Sequence, residues 1–206
     1  MAPWKTLASE YSFRDQWMAV RSDTVLLPNG QTLAPYHTVE GPDSVNVVAL
    51  NERGDIILVE QYRHPVNCTM LEIPAGHVDP GESPLAAGQR ELLEETGYGS
   101  GIWYDLGVHF PCASRLSSKV FGFLAIDVVA GDAKHAHGEI IQLSEMPWEA
   151  FANRMSAGET LLQEGSQMAV LFLALLYAQR TRDPLLAKLH LTGYLPRSHS
   201  TIPTPL

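Results

Sequence analysis

The chain has 206 residues, of which 45% are hydrophobic and 18% are charged, and its formal net charge is −9 at pH 7. This length and composition predict one globular domain with a small N-terminal extension, and they exclude an intrinsically disordered chain. The negative charge repels phosphate backbones and the sequence has no basic run, so we expect no nucleic-acid partner.

The cysteines and the apolar stretches bear on the compartment. Cys68 and Cys112 are too few for a disulfide framework, and the N-terminus lacks the basic and apolar regions of a secretory signal. The longest apolar stretch, residues 168–178, is about half the length that a transmembrane helix needs. We therefore expect a cytoplasmic protein that does not enter the membrane.

In chain order, the first element is a predicted hairpin. Polar and apolar residues alternate over 16–25 and 31–39, and the turn between them contains Pro28-Asn29-Gly30, which suits a hairpin. Gly41-Pro42-Asp43 then interrupts the pattern. We predict an N-terminal β extension over residues 1–42, a main domain over 43–195 and a flexible tail over 196–206.

The rest of the chain mixes strands and helices. Predicted strands lie at 45–50, 56–63, 72–75, 103–110, 120–129 and 139–143, and predicted helices lie at 148–155 and 161–180. The strands do not alternate regularly with the helices. This order predicts a layered α/β/α or α+β sandwich rather than a doubly wound parallel sheet.

A further helix is predicted between Ser83 and Gly97. Ser83 is a suitable N-cap, Pro84 suits the first helical position, and Gly97 suits the position just past the last turn. The face expected to pack against the sheet carries Leu85, Gly88, Leu92 and Thr96.

The same helix carries three glutamates with the chemistry of metal ligands. Glu91, Glu94 and Glu95 are spaced so that their carboxylates share one face, which we expect to lie opposite the leucines. Carboxylate oxygens are ligands that Mg²⁺ and Mn²⁺ prefer. The alternative interpretation is an acidic helix face that is simply solvated.

The residues around these glutamates resemble a family signature. Residues 76–98 read GHVDPGESPLAAGQRELLEETGY, and this segment resembles the signature of the Nudix hydrolase family. The resemblance implies a Nudix fold, in which a mixed β-sheet lies between α-helices and a loop and helix bind divalent metals. The matching positions are Gly76, Glu82, Arg90, Glu91, Leu92, Glu94, Glu95 and Gly97.

The resemblance also implies roles for individual residues. Glu91 and Glu95 would be the principal metal ligands, Glu94 would lie close to them, and Glu82 and Arg90 would fix the arrangement. We accordingly place Glu94, Glu95 and Arg90 among the catalytic residues. The metals, Mg²⁺ or else Mn²⁺, would bridge a substrate diphosphate and lower the pKa of an attacking water.

A second resemblance indicates which subgroup of the family the chain resembles. Residues 60–63 and 72–76 resemble the segment that leads into the signature in ADP-ribose pyrophosphatases and related nucleotide-sugar hydrolases. This implies that Arg63, with Glu60 beside it, binds the substrate and that the Ala75 carbonyl is a metal ligand. Alternatively, Arg63 is an exposed arginine at a strand end.

Three more residues are site candidates. Glu139, within Gly138-Glu139-Ile140-Ile141, matches the family's general base or extra metal ligand on a distant loop, and a solvated loop glutamate is the alternative. Trp17 is a possible platform for the nucleotide base, or it serves simple packing. Arg115 follows Pro111 in a loop that departs from the family's Ser-Pro-Gly pattern, and it would suit a second phosphate or a sugar acid.

The resemblance implies an enzyme that hydrolyses the diphosphate bond of a nucleoside diphosphate sugar and that forms a homodimer through its N-terminal strands. ADP-ribose, cleaved to AMP and ribose 5-phosphate, is the expected substrate, with GDP-mannose or ADP-glucose as alternatives. A third possibility is a non-catalytic Nudix domain that senses such a nucleotide. The presence of every signature glutamate favours the enzyme.

Overall fold

The computed structural model describes residues 2–131 and 140–181 together with Leu186 and Leu189. Within these residues the chain forms a three-stranded sheet, an eight-stranded mixed sheet and three α-helices. The expected flexible tail, residues 196–206, and the candidate base Glu139 lie outside the described residues.

The N-terminal sheet is antiparallel, in the order β1-β2-β3. The predicted hairpin corresponds to its second and third strands, and Gly30 in the turn has a φ of 83°, which glycine adopts without strain. The strands are β1 (Lys5–Arg14), β2 (Ala19–Leu26) and β3 (Thr32–Glu40).

The strands predicted within the N-terminal β extension, over 16–25 and 31–39, leave out β1. All residues of β1 are exposed, so neither face of the strand is buried. Register shifts between Thr6 and Ala8 and between Tyr11 and Phe13 further interrupt the period of two. β1 is therefore held by backbone pairing with β2 rather than by burial in a core.

The main sheet follows the order β11-β5-β4-β10-β8, while β6 pairs with β5, β7 with β4 and β9 with β10. β4 and β10 are parallel and the other pairs are antiparallel, which confirms the expected mixed sheet. The strands are β4 (Ser44–Asn51), β5 (Asp55–Arg63), β6 (Cys68–Glu72), β7 (Ala75–His77), β8 (Tyr98–Gly99), β9 (Ile102–His109), β10 (Val120–Ala130) and β11 (Ile141–Pro147).

Helices cover both faces of this sheet, which confirms the layered sandwich. Alternate residues of β4 serve two cores: Val47 and Ala49 pack with the first helix, whereas Val48 and Leu50 pack with the other two. None of the helices in the described ranges has the length and hydropathy that crossing a lipid bilayer requires. The helices are α1 (Pro84–Thr96), α2 (Trp148–Ser156) and α3 (Gly165–Thr181).

The predicted strand over 72–75 is wrong in its bounds. β6 ends at Glu72 and β7 begins at Ala75, because the chain crosses there from pairing with β5 to pairing with β4. Pro74 has no N–H to donate to a ladder, and its carbonyl accepts from the Val47 N–H at 2.9 Å. The crossing places Glu72 and Ala75 close together on two different strands.

The predicted helix over 161–180 starts too early. α3 begins at Gly165, because the Glu164 side chain accepts from the Gln167 N–H at 2.8 Å and satisfies a donor that the first turn leaves free. Leu162 is fully buried, but it precedes the helix.

The predicted packing face of α1 is only partly correct. Gly88, Leu92 and Thr96 are buried, but Leu85 in the first turn is 41% exposed. Ala87 packs in the core on this side of the sheet instead.

Candidate active site

One cleft gathers several of the predicted site residues. Its volume is about 710 Å³, and it lies where β4, β5, β6 and β7 meet α1 and the start of α3. The predicted residues that line it are Arg63, Ala75, Glu91 and Glu95.

α1 is fixed at both ends by the residues that the sequence predicts. The Ser83 hydroxyl accepts from the Ala86 N–H at 3.2 Å. At the other end Gly97 has a φ of 76° and donates its N–H to the Leu93 carbonyl at 2.9 Å. The two caps define where the helix begins and ends, and Glu91 faces the cleft from its middle.

The expectation that the glutamates lie opposite the leucines is wrong for Glu95. This residue is only 4% exposed and shares the buried side of α1 with Leu92. Its carboxylate accepts from the Ala75 N–H at 3.1 Å, so β7 covers it and supplies a partner. Glu94, by contrast, is partly exposed and does not line the cleft.

The first glycine of the signature has a steric role. A Cβ at Gly76 would overlap the Glu91 carboxylate, so the β7 backbone and this side chain approach each other closely. Gly76 thus leaves room for Glu91, and both residues line the cleft.

Arg90 ties the acidic residues of this region together. It donates to the Glu82 carboxylate at 3.0 and 2.9 Å, to Glu91 at 2.8 Å, to Glu94 at 3.2 Å and to the His77 carbonyl at 2.9 Å. The hydrogen bonds with Glu82 are the main reason that the pKa of Arg90 is raised, and they hold the pKa of Glu82 below its ordinary value. Arg90 therefore orients the carboxylates, as the resemblance implies.

The charges of the cleft call for a further cation. An anionic substrate would be repelled by this lining unless positive charge also bound there. In the described part of the chain the lining includes one guanidinium, that of Arg63, and the carboxylates of Glu72, Asp79, Glu91, Glu95 and Glu164.

The donor chemistry fits a hard divalent cation. Among the described residues, no three acidic, histidine or cysteine side chains converge closely enough to hold a metal. Glu91 and Glu94 instead contact Arg90, and Glu95 accepts from Ala75. The atoms that these three glutamates offer are carboxylate oxygens, which Mg²⁺ and Mn²⁺ prefer.

Arg63, the last residue of β5, also lines the cleft. Its guanidinium donates two hydrogen bonds of 2.7 Å to Glu72, a bidentate ion pair whose carboxylate is only 1% exposed. Gln61 lines the cleft beside it, two residues back on the same face of β5. Glu60 precedes Gln61 and points to the other face of the strand; it is exposed and does not line the cleft.

Two other candidates lie away from the cleft of their own chain. Trp17 is 67% exposed and lies in the turn between β1 and β2, not within a strand as predicted. Arg115 packs with its guanidinium 5.5 Å from the centre of the Tyr36 ring, against the N-terminal sheet. Next to it, the Tyr36 hydroxyl donates to the Ser114 carbonyl at 2.9 Å.

The sequence does not identify several polar residues of the cleft. Among them, Asn46, Glu164, Ser166 and Gln167 line it together with the predicted residues. A polar residue inside the valine-rich run of β4 is a signal for Asn46. Glu164, Ser166 and Gln167 carry no such signal. Ser166 contacts Asn46, and Gln167 contacts Glu72 and Ile73, across more than 90 positions of the chain.

Two protein-family models and a solved structure match this chain. The NUDIX domain model matches residues 41–163, and the model described as nucleoside diphosphate sugar hydrolase N-terminal domain matches residues 4–39. A solved structure described as an ADP compounds hydrolase has a TM-score of 0.75 and 23% sequence identity, over 87% of this chain and 96% of that one. That likeness shows the fold.

Two relatives are similar over part of the sequence. The chain is 43% identical over 94 residues to the methanol dehydrogenase activator of Bacillus methanolicus and 42% identical over 94 residues to the ADP-ribose pyrophosphatase of Bacillus subtilis. Each match covers 46% of this chain and 50% of the relative, so the chain spans about half the length of the relatives it matches. Because the NUDIX domain model covers more than half of the sequence, the chain belongs to the Nudix family.

Proposed function

We propose that the protein hydrolyses the diphosphate bond of a nucleoside diphosphate sugar, with ADP-ribose as the first candidate and AMP and ribose 5-phosphate as products. The observation that carries this proposal is the meeting of Glu91 and Glu95 with Arg63 across one cleft. Relatives described as ADP-ribose pyrophosphatase and ADP-sugar pyrophosphatase support it, as does the N-terminal domain match.

Nudix hydrolases generally use divalent cations, and we propose Mg²⁺ here, with Mn²⁺ as a substitute. Glu91 and Glu95 would hold the cation, with Glu94 and the Ala75 carbonyl adding oxygen donors. A bound cation of this kind activates water and neutralises charge on the phosphate oxygens. The other residues act around it: Arg90 keeps the carboxylates in place.

The reaction breaks one phosphorus–oxygen bond and forms another. Water attacks one phosphorus of the diphosphate, the bridging bond to the other phosphate breaks, and the proton of the water passes to a base. Arg63 binds the diphosphate with a guanidinium that Glu72 holds in one orientation. Glu139, outside the described residues, is our candidate for the base.

We also propose a homodimer formed through the N-terminal sheet. This sheet exposes a group of large apolar side chains, and such groups mark contact surfaces. In the dimer, Trp17 and Arg115 would approach the partner's cleft and contact the nucleotide base and a phosphate or sugar. The exposed residues are Trp4, Leu7, Tyr11, Phe13, Trp17 and Met18.

The dimer is tested by light scattering. Phe13→Glu places a charge on the exposed face of β1, so the variant is expected to elute with about half the mass of the wild type. A wild-type chain that has the mass of a monomer would contradict the proposal.

We further propose a cytoplasmic location, which the free cysteines Cys68 and Cys112 support and cell fractionation tests.

The function is tested by phosphate release, coupled to a phosphatase, from ADP-ribose, ADP-glucose, GDP-mannose, NADH and diadenosine polyphosphates in the presence of Mg²⁺. Preference for ADP-ribose would support the proposal, and activity confined to another nucleotide sugar would change its substrate. If no compound is hydrolysed but Mg²⁺ with a non-hydrolysable ADP-ribose analogue raises the Tm, the domain is a sensor. If neither occurs, the proposal fails.

A further inference from the structure

Gln167 connects the start of α3 to the arginine of the cleft through one carboxylate. Its Nε2 donates to the Glu72 Oε2 at 2.8 Å, and its Oε1 accepts from the Ile73 N–H at 3.0 Å. Glu72 in turn accepts both hydrogen bonds of Arg63 at 2.7 Å. A continuous set of hydrogen bonds therefore runs from α3 across β6 to the guanidinium that faces the cleft.

The two partners make an amide necessary at this position. Gln167 is only 2% exposed, so its partners cannot replace a lost bond with bulk water. The Ile73 N–H requires an acceptor and the Glu72 carboxylate requires a donor, and the side-chain amide of glutamine supplies one of each. A glutamate would set a second carboxylate against Glu72, and an apolar residue would leave both groups without this partner.

The backbone of Gln167 is held as firmly as its side chain. Its N–H donates to the Glu164 carboxylate at 2.8 Å. The Ser166 hydroxyl donates to the same carboxylate at 2.5 Å and accepts from the Asn46 side chain at 2.9 Å, which ties the start of α3 to β4. The amide of Gln167 therefore meets Glu72 from a fixed point.

We propose that Gln167 is a positioning residue for substrate binding: it holds Glu72, and Glu72 holds the Arg63 guanidinium toward the phosphates of the substrate. This inference rests on the proposed function, because Arg63 is the substrate contact. Gln167 itself acts through another residue, so its loss weakens binding more than it slows the chemical step. The expected signature is a rise in KM with little change in kcat.

The test compares Gln167→Met with Gln179→Met. Methionine keeps the length of the side chain but removes both hydrogen bonds, and Gln179 is an exposed glutamine on the same helix. Gln167→Met is expected to raise the KM for ADP-ribose about ten-fold with kcat within about three-fold, because a lost bond to a charged group weakens ground-state and transition-state binding alike. Gln179→Met is expected to keep the wild-type KM.

A double-mutant cycle separates positioning from a general structural role. If Gln167 acts only through Arg63, then Gln167→Met added to Arg63→Gln changes KM by less than about two-fold, because the contact it supports is already lost. If Gln167→Met does not fold, Gln167→Asn keeps an amide on a side chain that is one carbon shorter. It is expected to raise KM, because the shorter amide cannot reach Glu72 and Ile73 together.

Two results would overturn the inference while leaving the proposed function intact. In one, Gln167→Met and Gln179→Met have the same KM although the wild type hydrolyses ADP-ribose. In the other, the effect of Gln167→Met is fully retained in the Arg63→Gln background. If the wild type binds ADP-ribose without hydrolysing it, the same variants are compared by their Kd for ADP-ribose instead of KM. A wild type that neither binds nor hydrolyses ADP-ribose overturns the proposed function and this inference together.

Discussion

The carboxylate of Glu91 occupies the space that the first side-chain atom of any other residue at Gly76 would need. The two residues lie on different elements, β7 and α1, and both line the cleft. The close approach explains why the signature pairs a glycine with a glutamate fifteen positions later. It also makes the glycine a direct test of the site geometry.

Gly76→Ala is expected to lower kcat/KM at least about ten-fold, because Glu91 must move away from the new Cβ, and misplacement of a site residue is costly for catalysis. Steady-state hydrolysis of the best substrate measures the change. Gly41→Ala is the matched control, since a Cβ there meets its nearest atom at 3.9 Å. Equal activity of the two variants would mean that the position of Glu91 is not critical.

Glu95→Gln is expected to lower kcat about 100-fold or more while the protein stays folded. The glutamine carbonyl can still accept from the Ala75 N–H, which Glu95 does at 3.1 Å, while the substitution removes the negative charge and replaces one carboxylate oxygen with an NH2 group. Activity is measured across Mg²⁺ concentrations, with the exposed Glu149→Gln as control. A variant with near-normal turnover would remove Glu95 from the proposed metal ligands.

The ion pair of Glu82 with Arg90 predicts how the stability of the folded state depends on pH. The hydrogen bonds from Arg90 hold the pKa of Glu82 below the ordinary value of 4.5, so ionised Glu82 stabilises the folded state above that pH. This contribution falls as the pH drops from 4.5 through the lowered pKa of the folded state, because protonation then breaks the ion pair. The difference in Tm between the wild type and Glu82→Gln is therefore expected to be largest at neutral pH and to shrink below pH 4.5.

Thermal melts from neutral pH into the acid range measure this difference. Glu149→Gln, on the exposed side of α2, serves as the reference for removing a glutamate that forms no ion pair with another of the described residues. A Tm difference for Glu82→Gln that grows on acidification would have the wrong sign and would contradict the role of Arg90.

The parts of the site that are local in sequence are predictable. Ser83, Gly97 and the glutamate spacing define α1 and its acidic residues within one short segment, and the structure agrees on the bounds of the helix. The contact between Glu72 and Gln167 joins residues 95 positions apart, and no period or cap signals it. The alternation of side chains along a strand places Glu60 and Arg63 on opposite faces of the sheet, because residues an odd number of positions apart point to opposite sides.

In the N-terminal sheet, too, local turns are predictable and contacts between distant segments are not. Its hairpin is predictable because Pro28-Asn29-Gly30 is a local turn signal, and Gly30 has the positive φ that this turn uses. β1 has exposed residues and two register shifts, so its place is set by pairing with β2 and not by its own pattern. The loop at Arg115 packs on this sheet through Tyr36, a contact that likewise depends on folding of distant segments.

The two leucines of α1 that the sequence places on one face should differ sharply in their effect on stability. Leu92 is fully buried, so Leu92→Ala is expected to cost about 2–5 kcal/mol of the free energy of unfolding, through lost burial and the cavity left behind. Leu85 is 41% exposed, and Leu85→Ala is expected to cost less than about 1 kcal/mol. Urea unfolding of both variants at one protein concentration measures the two costs, because the stability of the dimer that we propose would depend on concentration. Similar costs for the two substitutions would mean that α1 is rotated relative to this structure, and Glu91 and Glu95 would then no longer face the cleft together.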